Sequence, residues 1–252
     1  MNTTQIIILA AGKGTRMGGD IPKALTKLGD QSMLEHVVDT VESLSMKYQP
    51  ICVVGYMEEL VKDTLGSRVS YVTQNEQKGT GHAVSCAMPL LDSSIEQILV
   101  LYADQPFISA ETIHNLIHLK QNSENSLAIA TAMIEDEQLF QDQFYNFGRI
   151  IRDKQGHIKA IVERKDAKDE QIAIHEVNPA YFCCDIPWAI KCLKALKNNN
   201  SQGEYYLTDL VKIAFEESHY IDSIQINEKE ALGANTPKQL AVLESYLEKQ
   251  GT

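Results

Sequence analysis

Short runs of branched apolar residues alternate with amphipathic stretches along most of the chain. Residues 6–10 form an unbroken apolar run of strand length, and residues 34–41 carry apolar positions at helical spacing before a second apolar run at 51–56. The same reading predicts strands at 69–72, 98–102, 126–132, 148–152, 158–162, 177–184 and 220–226. Helices are predicted at 81–91, 110–120, 187–196 and 207–215. Strand and helix in turn predict an α/β fold: a mostly parallel mixed sheet with helices on both faces.

The polar turn between the apolar runs at 148–152 and 158–162 predicts a hairpin, and with it a small antiparallel insertion at one edge. Near the end, Thr236, Pro237 and Gln239 stand at the cap, first-turn and capping-box places of a helix whose Leu240, Leu243 and Leu247 form one stripe. That C-terminal helix packs on the domain or on another subunit, so a homo-oligomer stays open.

The first strand runs into Gly12, Gly14, Gly18 and Gly19, with Lys13, Arg16 and Lys23 between and after them. Glycines let the backbone approach a ligand, and amides beside cations make a concave anion site, so a phosphate cradle is one reading and a solvated turn the other. A dinucleotide fingerprint is broken by Met17 at the third glycine position and by the absence of an acid at the end of the next strand. A Walker loop is excluded because no G-K-[ST] closes the run.

Composition narrows the field. With 252 residues, 44% hydrophobic and 23% charged, the chain is long enough for one large core. A formal net charge of -11 argues against broad nucleic-acid or membrane-surface binding. The five cysteines lie mostly in apolar segments with no C-x-x-C pair and read as reduced core residues. No apolar run approaches the roughly 18 residues of a membrane span and the N-terminus is not a signal peptide, so a cytoplasmic protein is expected.

Several segments then resemble, in order down the chain, the sugar-phosphate nucleotidyltransferases, and most closely the N-acetylglucosamine-1-phosphate uridylyltransferases. They are LAAGKGTRM at 9–17 with Pro22-Lys23, QNEQKGTGHA at 74–83, ILVLYADQP at 98–106, FGRI at 147–150, IVERKDA at 161–167, EVN at 176–178, QGEYYLTD at 202–209 and GANT at 233–236. The resemblance implies a Rossmann-like sheet of the nucleotide-diphospho-sugar transferase type. It implies a nucleotidyltransferase domain over 1–228, with a metal-ligand loop and helix at 229–252 packed on it.

Arg16 and Lys23 would be catalytic. Leu9, Ala11, Gly12, Gly14, Thr15, Gln74, Gln77, Gly79, Thr80 and Ala103 would hold the nucleotide, and Gly148, Glu163, Asn178, Tyr206 and Thr208 the sugar. Asp104 and Asn235 would bind Mg²⁺, which favours a few hard oxygen ligands and substrate phosphates. Without the resemblance, Asp104 and Asn235 could equally be turn residues. The amides of Gln74 and Gln77 could flip to suit uracil or cytosine, and His82 reads as a structural residue at a helix start.

The implied reaction joins UTP and a sugar 1-phosphate into a UDP-sugar and pyrophosphate, with N-acetylglucosamine 1-phosphate the first candidate. No general base is needed, because the attacking phosphate oxygen is already ionised. Two departures stand out: Ala103 occupies a usual glycine position, and Asn178-Pro179-Ala180 replaces Asn-Thr-Gly. Bifunctional bacterial members continue into an acetyltransferase β-helix where this chain stops at Thr252, so acetyl transfer is not expected. The alternatives are a cytidylyl- or guanylyltransferase on another phosphorylated sugar or alditol, and a non-catalytic UDP-sugar-binding protein; a dinucleotide-dependent oxidoreductase is the weakest.

Overall fold

The computed structural model describes residues 3–18 and 21–250; Gly19, counted above in the cationic loop, lies outside the described residues. The main sheet is built from β1 (Thr4–Leu9), β2 (Ile51–Val54), β3 (Ser70–Thr73), β4 (Gln97–Tyr102), β5 (Leu127–Met133), β6 (Gly148–Arg152), β7 (Ile158–Val162), β8 (Glu176–Asn178), β9 (Phe182–Asp185) and β10 (Asp222–Gln225). Its principal helices are α1 (Met33–Ser43), α2 (Glu58–Leu65), α3 (Thr80–Ala87), α4 (Ala110–Gln121), α5 (Ile186–Ala195), α6 (Asp209–Glu216) and α7 (Pro237–Gln250).

Strand order is β3-β2-β1-β4-β9-β5-β8-β6-β7, with β10 on the other side of β5. The pairings β1–β2, β1–β4, β2–β3 and β5–β10 are parallel. Those of β9 with β4 and β5, of β8 with β5 and β6, and of β6 with β7 are antiparallel. Following these directions across the sheet, seven of its ten strands point one way and only β7, β8 and β9 run against them. The antiparallel part therefore extends well beyond the expected hairpin, which is present as β6–β7.

Alternation along the strands divides the core into two layers. Ile6, Ile8, Cys52, Val54, Leu99, Leu101 and Cys183 face one layer. Ile7, Ile51, Val53, Ile98, Val100 and Cys184 face the other, as a two-residue repeat requires of a sheet covered on both sides. Cys52, Cys183, Cys184 and Cys192 are buried free thiols, and burial pushes the Cys52 thiol up to about 12. The chain end joins the same core: Leu243 is fully buried, and Leu240 and Leu247 pack against it.

Two predicted elements are corrected. The single strand expected over 177–184 is two, β8 and β9, interrupted at Pro179-Ala180. Pro179 has no amide to pair, and Ala180 adopts φ 67°, with its amide donating to Asn178 Oδ1 at 2.9 Å instead of to a neighbouring strand. The helix expected over 81–91 closes at Ala87 and continues as one tighter turn, Met88–Leu90, around Pro89. Among the described residues no helix is long and apolar enough to cross a membrane.

Candidate active site

Three separate stretches meet at the carboxyl ends of β1 and β4. Beyond β1, Gly14 takes φ 64° and opens a single tight turn, Thr15–Met17. A side chain at Gly14 would collide with Lys23, so the glycine lets the loop fold down onto the lysine. Beyond β4 comes Asp104. Its backbone carbonyl accepts from the Ala234 amide at 3.2 Å, and a Cβ on Gly233 would lie 2.8 Å from that oxygen.

This close approach sets Asn235 beside Asp104. The cap of α7 then fixes Asn235, whose amide donates to Gln239 Oε1 at 2.9 Å while the Gln239 amide donates to Thr236 Oγ1 at 3.3 Å.

The result is a four-residue knot. Lys23 Nζ donates to Asp104 Oδ2 and, at 2.6 Å, to Asn235 Oδ1; Arg16 Nη2 donates to the same Asn235 oxygen at 3.0 Å. The carboxylate and the amide oxygen thus already converge on one cation, the lysine ammonium. Two hard oxygens around one positive charge, open toward a cleft, are the kind of donor set Mg²⁺ accepts when phosphates and water complete its shell. Among the described residues no group of three or more His, Cys, Asp and Glu gathers as a metal cluster.

A cavity of about 250 Å³ lies on one side of the knot, lined by Leu9, Ala11, Gly12, Lys23, Gln74, Gln77, Gly79, Thr80, Ala103 and Asp104. A second, of about 230 Å³, lies on the other and is lined by Asp104, Gln105, Gly148, Glu163, Asn178, Ala180, Tyr206, Thr208 and Asn235. Asp104, Thr80, Tyr102 and Glu204 line both. Of the residues assigned to a nucleotide, Gly14 and Thr15 do not face the first cavity: Gly14 packs on Lys23 and Thr15 is exposed. Arg16 reaches the knot from a wider cleft shared with Arg164 and Lys165.

Gln74 and Gln77 are more constrained than their chemistry alone suggests. Gln77 Nε2 donates to the Ala11 carbonyl at 2.6 Å. Gln74 is buried, and its Nε2 donates to the Gly79 carbonyl and to His82 Nδ1, both at 3.0 Å. Both amide hydrogens of Gln74 are spent on the protein, so the amide is not free to flip and only its carbonyl oxygen remains for a ligand. The Gly79 carbonyl, which can only accept, fixes that orientation, and His82 Nδ1 takes the second hydrogen.

Gly79 and Gly81 permit a close approach by the chain itself. Gly79 has φ 103°, and a Cβ there would sit 2.7 Å from the Tyr205 carbonyl. The Gly81 amide donates to Tyr205 O and the Tyr205 amide to Lys78 O, both at 2.8 Å; Thr80 Oγ1 accepts from the Leu207 amide at 3.0 Å. The segment at 74–83 and the segment at 202–209 are therefore clipped together, which joins the walls of the two cavities.

In the second cavity Glu163 Oε1 accepts from Thr208 Oγ1 at 3.1 Å. Burial raises the Glu163 carboxyl pKa above the usual range, the Thr208 bond opposing the shift in part. Tyr206 Oη accepts from Gln202 Nε2 at 2.8 Å, and Asn178 spends its Oδ1 on the Ala180 amide. Gly148 is required because a Cβ would meet Ile161 at 2.7 Å.

Next to it, Arg149 is fully buried and was not singled out from sequence. Its guanidinium donates to the Ile172 carbonyl at 3.2 Å, to the Tyr145 carbonyl at 2.8 Å and to that of Phe147, a residue lining the cavity.

Residues 6–202 match the family model described as the MobA-like NTP transferase domain. The chain is 38% identical over 245 residues to the bifunctional protein GlmU of Clostridium acetobutylicum, covering 97% of this chain and 52% of that protein. It is 41% identical over 244 residues to that of Thermoanaerobacter pseudethanolicus, covering 97% and 51%. It spans about half the length of the curated relatives it matches.

Among solved structures, UDP-glucose pyrophosphorylase complexed with UDP-glucose superposes with a TM-score of 0.75 at 18% identity, covering 99% of this chain and 100% of that one. The 4-diphosphocytidyl-2C-methyl-D-erythritol synthase of Anaerococcus prevotii gives 0.65 at 18%, covering 98% and 99%. At that identity the likeness is one of fold.

Proposed function

The chain belongs to the MobA-like NTP transferase family, and from that premise we propose that it is a Mg²⁺-dependent nucleotidyltransferase making a UDP-sugar and pyrophosphate from UTP and a sugar 1-phosphate, N-acetylglucosamine 1-phosphate first among them. The observation that carries this reading is the position of the Arg16–Lys23–Asp104–Asn235 knot between two cavities. Nucleotide in one and sugar phosphate in the other bring an ionised phosphate oxygen into line with the α-phosphorus, and pyrophosphate leaves on the far side toward Arg16.

Positioning and charge neutralisation do the work in such a transfer. Asp104 and Asn235 would hold Mg²⁺, which on binding neutralises charge on the phosphates. Lys23 lines the first cavity beside Asp104 and meets charge that builds on the α-phosphate. Arg16 and the amides of the glycine loop take the outer phosphates. Gln74 offers its carbonyl oxygen to the base, and Glu163 accepts from sugar hydroxyls.

The test is pyrophosphate release with magnesium across UTP, CTP and GTP, each against glucose 1-phosphate, N-acetylglucosamine 1-phosphate and an alditol phosphate. Release with UTP and a sugar 1-phosphate is expected. Release only with CTP or GTP would move the chain to another branch of the class, and thermal stabilisation by UDP-sugar without any release would make it a binding protein.

A further inference from the structure

Gln105 has no assigned part in the site, yet its side chain is the unexplained polar group in the second cavity. It is 6% exposed and lines that cavity between Asp104 and the Asn178–Ala180 wall. Its Oε1 is buried with no hydrogen-bond partner, and among the described residues its amide nitrogen makes no hydrogen bond either. Buried side-chain atoms without partners also occur at Gln143 and Arg164, but only Gln105 faces this cavity.

An acceptor left unmade in the interior is a standing cost, and a leucine or methionine of similar length would avoid it. The backbone supplies no relief: the Gln105 amide is used in the turn to the Tyr102 carbonyl, and Gly233 presses on the side-chain stem, where a Cβ would come 3.1 Å from Gln105 Cγ. The side chain is thus held in the wall with Oε1 turned inward, which leaves the unbonded amide nitrogen as its cavity-facing polar atom. Its neighbours there differ in kind. Glu163 offers a carboxylate, whereas Asn178 has already spent its oxygen on Ala180.

We infer that Gln105 is a sugar-recognition residue, whose amide NH₂ donates to an oxygen on the sugar, either a hydroxyl or an acyl carbonyl. This rests on the nucleotidyltransferase reading of the site. An uncharged amide does not select for or against charge, so its contribution is to register the position of one substituent.

The experiment compares calorimetric dissociation constants of UDP, UDP-glucose and UDP-N-acetylglucosamine for wild type, Gln105→Leu and Gln105→Met, with melting temperatures of the ligand-free proteins. UDP affinity is expected to stay within two-fold, while affinity for a UDP-sugar falls by about ten-fold, the size of one lost buried hydrogen bond. The ligand-free variants are expected to melt no lower than wild type, because the orphaned acceptor is gone. A loss confined to UDP-N-acetylglucosamine assigns the acyl carbonyl, and a loss with both sugars assigns a hydroxyl.

Unchanged UDP-sugar affinity in a folded variant, or equal weakening of UDP, overturns the inference. Wild type that binds UDP-sugars but releases no pyrophosphate would count against the proposed reaction and leave this contact standing. The two variants differ in shape, so a folding failure in one leaves the other to decide.

Discussion

Lys23 occupies, with its ammonium, the point at which Asp104 and Asn235 would share a divalent ion. A competitor that must be displaced lowers apparent affinity by the fraction of time it is in place. Lys23→Met is therefore expected to bind Mn²⁺ roughly ten-fold more tightly than wild type without nucleotide, a coupling of ordinary size, while losing turnover. Calorimetry of the nucleotide-free protein checks this, and unchanged or weaker Mn²⁺ binding would separate the lysine from the metal position.

Glu163 provides the pH dependence. Its folded pKa is raised by burial, so the fold binds this proton more tightly than the unfolded chain does. Stability from this group is greatest below the unfolded value and declines as pH rises through the raised folded one. Glu163→Gln should then melt above wild type at neutral pH, with the difference shrinking as pH falls toward the ordinary carboxylate range. A difference that grows on acidification would reverse the sign of the shift.

A third prediction concerns His82, which takes one of the two Gln74 amide hydrogens. The Gly79 carbonyl still accepts the other hydrogen in His82→Leu, so the amide is expected to keep its orientation and the ratio of kcat/KM for UTP and CTP to stay within about two-fold. A larger change in that ratio would show that His82, and not Gly79, orients the amide.

At the scale of elements, the site depends on a clip between the start of α3 and the loop before α6. Gly79 is its weak point, because a Cβ in a left-handed backbone would press on the Tyr205 carbonyl. Gly79→Ala should cost about 1–3 kcal/mol for the backbone alone and raise KM for nucleotide and sugar phosphate together, since both cavities share that wall. Steady-state kinetics in both substrates, with thermal melts, checks it; a rise in one KM only would show that the cavities are independent.

This clip also marks where the sequence stopped being readable. The two segments it joins could each be recognised, and Gly79 and Gly81 could be seen to permit close approach. That the approaching group is the chain's own backbone depends on a contact across more than 100 positions, which no local pattern carries. The break at Pro179-Ala180 was missed for the opposite reason. The apolar run on either side reads as continuous, and one proline was outweighed although it removes the pairing amide. Helix α2 was missed because only Val61 and Leu65 are buried in it, too sparse a stripe to register.

At the scale of the molecule, apolar alternation was enough to give the layered α/β sheet, whereas the residues of the knot were legible through the family resemblance, since Asp104 and Asn235 by themselves read equally as turn residues. Their separation in sequence is large: Arg16 and Asn235 bond across 219 positions. They meet because β1 and β4 are parallel neighbours whose carboxyl ends open on the same side, and because the C-terminal cap brings Asn235 back to Asp104. In a molecule of net charge -11, Arg16 and Lys23 are thus brought to one site, where Asp104, Glu163 and Glu204 also line the cavity.

The central claim is that these four side chains act together on a nucleoside triphosphate. Its most direct measurement is pyrophosphate release from UTP with magnesium and N-acetylglucosamine 1-phosphate, for wild type and Asp104→Ala, with melting curves of both. The account predicts release by wild type and a loss of at least about 100-fold in the variant with the fold intact; near-equal rates in the two proteins would contradict it.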